Sequence, residues 1–270
     1  MDPKGKLILV SGASQGIGAA TCRELATQGA RLILVARTRS KLEALAADIQ
    51  STLPGSEAHV YPCDLGDPAA VQALAERVQA ELGTPDILIN NAGAGRWLAV
   101  DETPLEEVQS MIAAPYLAAF YLTRVFLPAM LERDSGIILS VQSPVSRVVP
   151  GGCTGYAACR YALQGFCAGL SADLHDTNIH VVEAMFGEVS SNYWANNPGA
   201  DARLPGIAKA LIPKMTPEQV ARALVVAIRR PRRLFMRPHM VGVLILLLRI
   251  MPNIVRWLVV TTGWRRGREG

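Results

Sequence analysis

The sequence predicts an α/β fold, a Rossmann-type doubly wound parallel sheet in a single domain. Three observations predict it: six short runs that are apolar throughout, longer helix-like segments between them, and a glycine-rich turn directly after the first run. Strands that lack in/out alternation are buried on both faces, as in a parallel sheet covered by helices on either side. A length of 270 residues, 50% of them hydrophobic, suits one large α/β unit with a substantial core.

The first run is Leu7–Ser11 (LILVS), reached from a polar start without the apolar stretch of a secretory signal. A helical segment, Ala19–Gln28, leads to the second run, Leu32–Ala36 (LILVA), and Arg39–Thr52 leads to a weaker third, His59–Tyr61. Pro68–Leu82 reads as helix before the fourth run, Ile87–Asn90 (ILIN), and Leu105–Arg133 reads as helix before the fifth, Gly136–Val141. The sixth is Ile179–Ala184. No internal repeat, low-complexity tract or linker divides this alternation, so residues 1–230 are expected to form one domain.

Residues 190–214 break the rhythm with Asn192, Asn196, Asn197, Pro198, Gly199, Pro205, Gly206 and Pro213. A long irregular excursion in a compact α/β domain is expected to be a lid over the substrate site, the alternative being a solvated surface loop. The five cysteines, Cys22, Cys63, Cys153, Cys159 and Cys167, form no CxxC pair and no metal-ligand spacing with histidine. Their odd number and the missing signal point to a reducing compartment and the cytoplasmic side of any membrane.

Charge is uneven along the chain. Residues 229–270 hold ten arginines against one acid, Glu269, whereas the other 228 residues hold 17 Lys+Arg against 22 Asp+Glu. The segment 231–270 is therefore expected to be a basic amphipathic C-terminal extension. Its apolar stretch Met240–Leu248 (MVGVLILLL) is too short to span a bilayer, and Arg249, Pro252 and Arg256 interrupt any longer one. With Trp257 and Trp264 it fits a segment lying on an anionic membrane; packing on the body or a sister subunit is the alternative. Nucleic acid is not expected, because the acidic body would repel phosphate.

The turn Ser11-Gly-Ala-Ser-Gln-Gly-Ile-Gly18 closes the first strand and opens the first helix. Its glycines at 12, 16 and 18 permit positive φ and close approach of a pyrophosphate, and the helix N-terminus supplies unpaired N–H groups. Tyr156 and Arg160 lie four apart in a helical segment, which puts a permanent cation on the same face as the phenol. Ser143 follows the fifth strand, thirteen residues before Tyr156.

With its GxxxGxG spacing, Asn90-Asn-Ala-Gly93 after the fourth strand, Cys63-Asp64-Leu65, Ser143, Tyr156 to Arg160 and Phe186-Gly187, the chain resembles the short-chain dehydrogenase/reductase family over about residues 5–190. The resemblance implies hydride transfer between NADP(H) and a carbonyl/alcohol pair, with Tyr156, Ser143 and Arg160 catalytic. It further implies that the cofactor is bordered by Gly12, Ser14, Gln15, Gly16, Ile17 and Gly18, by Arg37, Asp64, Leu65 and Asn91, and by Tyr156, Arg160 and Val189. NADP is favoured over NAD because Ala36-Arg37-Thr38-Arg39 offers no carboxylate to repel a 2′-phosphate, and Arg37 could pair with it.

Two positions depart from the family pattern. Arg160 stands where the family has lysine, and arginine is larger, planar and differently forked. Pro115 stands where the family has an asparagine, and it brings neither a side-chain donor nor an N–H. These departures keep open a second reading, a cofactor-binding regulator or scaffold with weak catalysis. The basic tail implies a lipophilic substrate of the keto-lipid, sterol or retinoid kind and peripheral membrane attachment, and the family implies a homo-oligomer.

Overall fold

The computed structural model describes residues 1–93, 95–191, 193 and 197–267. Its centre is a seven-stranded sheet in the order β3-β2-β1-β4-β5-β6-β7, parallel at every pairing. The strands are β1 (Leu7–Ser11), β2 (Arg31–Ala36), β3 (Ala58–Pro62), β4 (Ile87–Asn90), β5 (Gly136–Gln142), β6 (Ile179–Phe186) and β7 (Leu234–Arg237). The six expected runs are all strands. The seventh lies inside the segment read from sequence as an extension: four residues between arginines are too short to announce a strand, yet Phe235 and Met236 pair with Ala184 and Met185.

The all-apolar runs serve two cores. Ile8 and Val10 of β1 with Leu32 and Leu34 of β2 face one side, against Leu25 of α1 (Gly16–Thr27), Leu42 of α2 (Arg39–Thr52) and Leu224 of the helix Pro217–Arg229. Leu7 and Leu9 with Ile33 and Val35 face the other side, against Leu74 of α3 (Pro68–Glu81) and the helices between β4 and β6. Because successive strand side chains point to opposite faces, a sheet covered on both sides must be apolar at every position.

Helix starts follow local chemistry. Pro68 opens α3, and the Asp67 carboxylate accepts from Ala69 N at 2.9 Å. Thr216 and Gln219 form a reciprocal capping box ahead of Pro217–Arg229.

The expected helix 105–133 is three pieces: α4 (Leu105–Ile112), a π-helical turn (Ala113–Leu117) and α5 (Ala118–Glu132). Pro115 sits buried in the π turn. A proline inside a regular helix removes one i→i−4 bond and crowds the preceding turn, and a π turn is where a helix accommodates such an interruption. By length and composition this run could cross a membrane, but Leu122, Phe126 and Met130 are fully buried against the sheet. After it come β5, then α6 (Thr154–Asp173), then β6.

Within the expected lid, the described residues form a 3-10 turn at Asp201–Arg203 and the short helix α7 (Gly206–Leu211); Asn192 and Asn196 lie outside the described residues. The chain continues through α8 (Pro217–Arg229) and β7 into a helical hairpin, α9 (His239–Ile250) and α10 (Pro252–Thr262). All five cysteines are free and buried.

Candidate active site

A cleft of about 1010 Å³ opens at the carboxyl ends of the strands, beside the point where the sheet order reverses between β1 and β4. This is where ligands bind in open α/β sheets. One half is built on backbone. Ser11, at the end of β1, donates its Oγ to Ile89 O at 3.2 Å and accepts from Asn91 N and Ala92 N at 2.9 and 3.0 Å. Asn91 Nδ2 donates to Ser11 O at 3.0 Å and Gly12 O at 3.3 Å. The β1–α1 turn is thereby locked to the end of β4.

Glycine is required here for two different reasons. Gly12 and Gly16 hold φ of +66° and +56°, the left-handed region. Gly18 has ordinary φ, but a Cβ there would stand 2.1 Å from Gly12 O. Gln15, the residue before α1, makes no side-chain cap bond, so the first turn of the helix opens uncapped onto the cleft.

At the far end of this half, Arg37 and Lys41 line the cleft where β2 ends. Asp64 Oδ1 accepts from Gly66 N at 3.0 Å, which fixes the loop after β3. The cleft lining includes Gly12, Ser14, Gln15, Gly16, Ile17, Arg37, Asp64, Leu65, Asn91 and Val189. Gly18 is the expected cofactor residue that does not line it; it is buried beneath Gly12, a packing position.

The other half holds the side chains with acid/base chemistry. Tyr156, near the start of α6, is 7% exposed and lies 5.9 Å from the Trp97 ring and 6.2 Å from the Tyr193 ring, centroid to centroid. One turn on, Arg160 places its guanidinium carbon 5.0 Å from the Tyr156 ring centroid and donates Nη1 to Val141 O at 2.9 Å. Its Nη2 lies 2.8 Å from where a Cβ on Gly93 would be, so the glycine at 93 makes room for the arginine. Arg160 Nε is buried without a hydrogen-bond partner among the described residues. Ser143 directly follows β5, with its Oγ accepting from Val145 N at 3.3 Å. The structure thus brings Ser143, Tyr156 and Arg160 to one cleft with the glycine-rich loop.

Sequence reasoning missed Gln142, Trp97 and Tyr193. Gln142 is 2% exposed; its Nε2 donates to Arg160 O at 2.8 Å and its Oε1 accepts from Ser143 N at 3.1 Å. One buried amide therefore ties the end of β5, next to Ser143, to the helix carrying Tyr156. A long amide side chain ending a mostly apolar strand, directly before Ser143, was the available signal. Tyr193 donates its hydroxyl to Gly95 O at 2.8 Å, and burial pushes its phenol pKa up. Pro115 does not line the cleft, although its neighbours Ala113 and Ala114 do.

The outer wall is apolar: Val148, Leu204, Pro205, Ile212, Leu244 of α9 and Val259 of α10. Beyond the hairpin the chain returns to the body. Trp264 packs over Gly151 and Gly152, with the Arg203 guanidinium 4.8 Å from its ring centroid. Arg266 grips Asp101 through two bonds of 2.6 and 2.7 Å, holding that carboxyl pKa down at about 2. Trp264 is thus a packing residue on the protein's own surface, while Trp257 is 62% exposed.

Residues 6–201 match the short chain dehydrogenase family. An uncharacterized oxidoreductase of Mycobacterium tuberculosis is 36% identical over 238 residues, covering 85% of this chain and 66% of that protein, so the chain spans just under two thirds of that relative. A fatty acyl-CoA reductase of Acinetobacter baylyi is 32% identical over 238 residues, 86% of this chain and 76% of that one. Among solved structures, a Pseudomonas aeruginosa short chain oxidoreductase with an atypical catalytic center, bound to NADPH, superposes with a TM-score of 0.74 at 27% identity, covering 85% of this chain and 92% of that one. The glycine-rich loop, the reversal of the sheet between β1 and β4 and these likenesses agree: the chain belongs to the short chain dehydrogenase family of oxidoreductases.

Proposed function

We propose that the protein is an NADP(H)-dependent oxidoreductase interconverting a lipophilic carbonyl compound and its alcohol. The observation that carries this reading is the convergence of Ser143, Tyr156 and Arg160 on the cleft that the glycine-rich loop also lines. The residues present fit the cofactor. Gly12 and Gly16 line the cleft with left-handed backbone and no side chain to keep a pyrophosphate away, and α1 presents an uncapped N-terminus to receive it. Arg37 and Lys41 stand where β2 ends, with no acid among residues 36–42, a donor set suited to a 2′-phosphate. The buried, unbonded Nε of Arg160 is a donor that lacks only an acceptor.

When bound, the nicotinamide supplies or accepts the hydride. In the reductive direction the Tyr156 hydroxyl gives its proton to the substrate oxygen, while Ser143 Oγ orients that oxygen by hydrogen bonding. In the oxidative direction the Tyr156 oxygen takes the proton from the alcohol. Arg160 holds a positive charge against the phenol face. Gln142 fixes the spacing of Ser143 and Arg160. The apolar outer wall selects a substrate with a hydrocarbon body, and the segment 190–214 serves as its lid. The likeness to a fatty acyl-CoA reductase supports a lipid substrate. The NADPH of the P. aeruginosa structure, in a relative whose catalytic center is itself atypical, supports the cofactor assignment.

The test is NADPH oxidation by purified protein across long-chain aldehydes and ketones, with Tyr156→Phe as control. Loss of the proton donor is expected to lower kcat about 10²–10⁴-fold while NADPH still binds. Equal trace turnover by both proteins would reject catalysis and favour a cofactor-binding regulator.

A further inference from the structure

We infer that the outer face of the α9–α10 hairpin docks on an anionic lipid bilayer and sets the mouth of the cleft against the membrane. The two helices divide cleanly between inner and outer faces. Inward, Val255 and Val259 of α10 are buried on Val148, with Leu244 and Leu248 of α9 packed against them. Outward, α9 exposes Met240, Val243, Leu246, Leu247 and Ile250, which recur at intervals of three and four and so form one stripe. The outer face of α10 continues it with Ile254, Trp257 and Val260, at 53%, 62% and 48% exposure. A protein surface rarely leaves so many large apolar side chains together in water unless something covers them.

Charge identifies the occupant. Arg249 and Arg256 are exposed on the hairpin, and no acidic residue occurs from Gln219 to Arg268. A second copy docking through this face would bring like charges together. Lipid phosphates would neutralise them while the acyl region receives the apolar stripe and Trp257 takes the interfacial level. At twelve and eleven residues, neither helix is long enough to span, so the hairpin lies on the surface.

The hairpin also belongs to the site. Leu244 and Val259, from its inner face, line the cleft beside Leu204, Pro205 and Ile212. A docked hairpin therefore holds an apolar wall between bilayer and reaction centre, and a membrane-dissolved substrate enters along it. This last step alone rests on the lipophilic-substrate reading; docking does not.

The full-length chain is sedimented with phosphatidylcholine vesicles and with phosphatidylcholine–phosphatidylglycerol vesicles, alongside the variant Leu246→Glu/Trp257→Glu. Leu131→Glu, altering an exposed residue at the end of α5 beside the start of β5, the end of the sheet opposite the cleft, is the control. The wild type and the control are expected to bind the anionic vesicles, and to release as salt rises. The double variant is expected to bind at least about tenfold less. NADPH binding, read by fluorescence, is expected to be unchanged in all three, showing that each is folded. Wild type left in the supernatant, or a double variant that sediments like wild type, overturns the proposal. So does a wild-type dimer, by light scattering, that the double variant makes monomeric without vesicle binding; a second copy then occupies the face. A chain that binds vesicles but turns over no carbonyl compound refutes the reductase reading and leaves docking intact.

Discussion

Arg160 stacks its guanidinium on the ring of Tyr156, 5.0 Å from the centroid, and anchors Nη1 on Val141 O, so the cation lies along the phenol's face. Glycine at 93 leaves the space Nη2 occupies, and Nε remains buried and unbonded. An unsatisfied charged donor is costly unless a ligand supplies its acceptor. Arg160→Met is therefore expected to weaken NADPH binding by roughly 10–100-fold, the worth of a charge-assisted hydrogen bond, and to lower kcat as well. Arg160→Lys restores the charge and one donor, and should recover most of both. Fluorescence titration with NADPH and steady-state rates on the same preparations check this. Unaltered NADPH affinity in Arg160→Met would show that the arginine serves packing alone.

Cofactor choice should be movable at Arg37. This side chain is exposed at the end of β2 and lines the cleft with Lys41. Arg37→Glu replaces a partner for the 2′-phosphate with a carboxylate that repels it and can accept from ribose hydroxyls. The KM for NADPH is expected to rise about 10–100-fold while that for NADH falls. Steady-state kinetics with both cofactors decide it, and a parallel rise in both KM values would mean that the loop had been damaged.

The two glycines that open α1 should fail differently. Alanine at 18 drives a Cβ to 2.1 Å from a backbone carbonyl, so strand and helix must separate. Alanine at 16 meets only Ser191 Cβ at 3.7 Å and costs the left-handed φ of +56°. Gly18→Ala is expected to cost about 3 kcal/mol of stability by overpacking, against about 1–2 kcal/mol for Gly16→Ala. Chemical denaturation measures the order, and the reverse order would disprove the assignment of Gly18 to packing.

These contrasts show what sequence can and cannot reveal. The strands were legible because burial on both faces imposes unbroken apolar runs, and the glycine loop because backbone geometry leaves no other residue. Arg37, Asn91, Ser143, Tyr156 and Arg160 were legible as motif positions, and they meet at one cleft. Gln142 was not, since its function depends on two backbone groups, Ser143 N and Arg160 O, that only the fold brings together. The seventh strand was hidden among arginines. Trp264 read like Trp257, but only one of them is covered, because the chain beyond α10 turns back onto Gly151 and Gly152.

The loop after Ser143 is held to β6 by a buried ion pair that gives the last prediction. Arg147 Nη2 donates to both carboxylate oxygens of Glu183, at 2.9 and 2.8 Å, with side-chain exposures of 19% and 9%. Burial outweighs the arginine and raises the Glu183 pKa above its ordinary 4.5. The folded state therefore holds more protons than the unfolded one from 4.5 upward to that raised value, and stability falls as pH rises through this window. Arg147→Met removes the influence that opposes burial, so the window should extend to higher pH. At pH 7 the variant is expected to lose about 3–5 kcal/mol, because a buried carboxylate is left without its partner. The loss should shrink as pH falls and Glu183 protonates. Arg147→Met/Glu183→Leu should regain most of it and lose the added pH dependence, since an apolar pair of similar volume replaces the ions without a desolvation penalty. Denaturation curves for wild type, single and double variants at several pH values test the cycle. A double variant as unstable as Arg147→Met would show that the arginine acts through packing of the Ser143 loop rather than through the charge of Glu183.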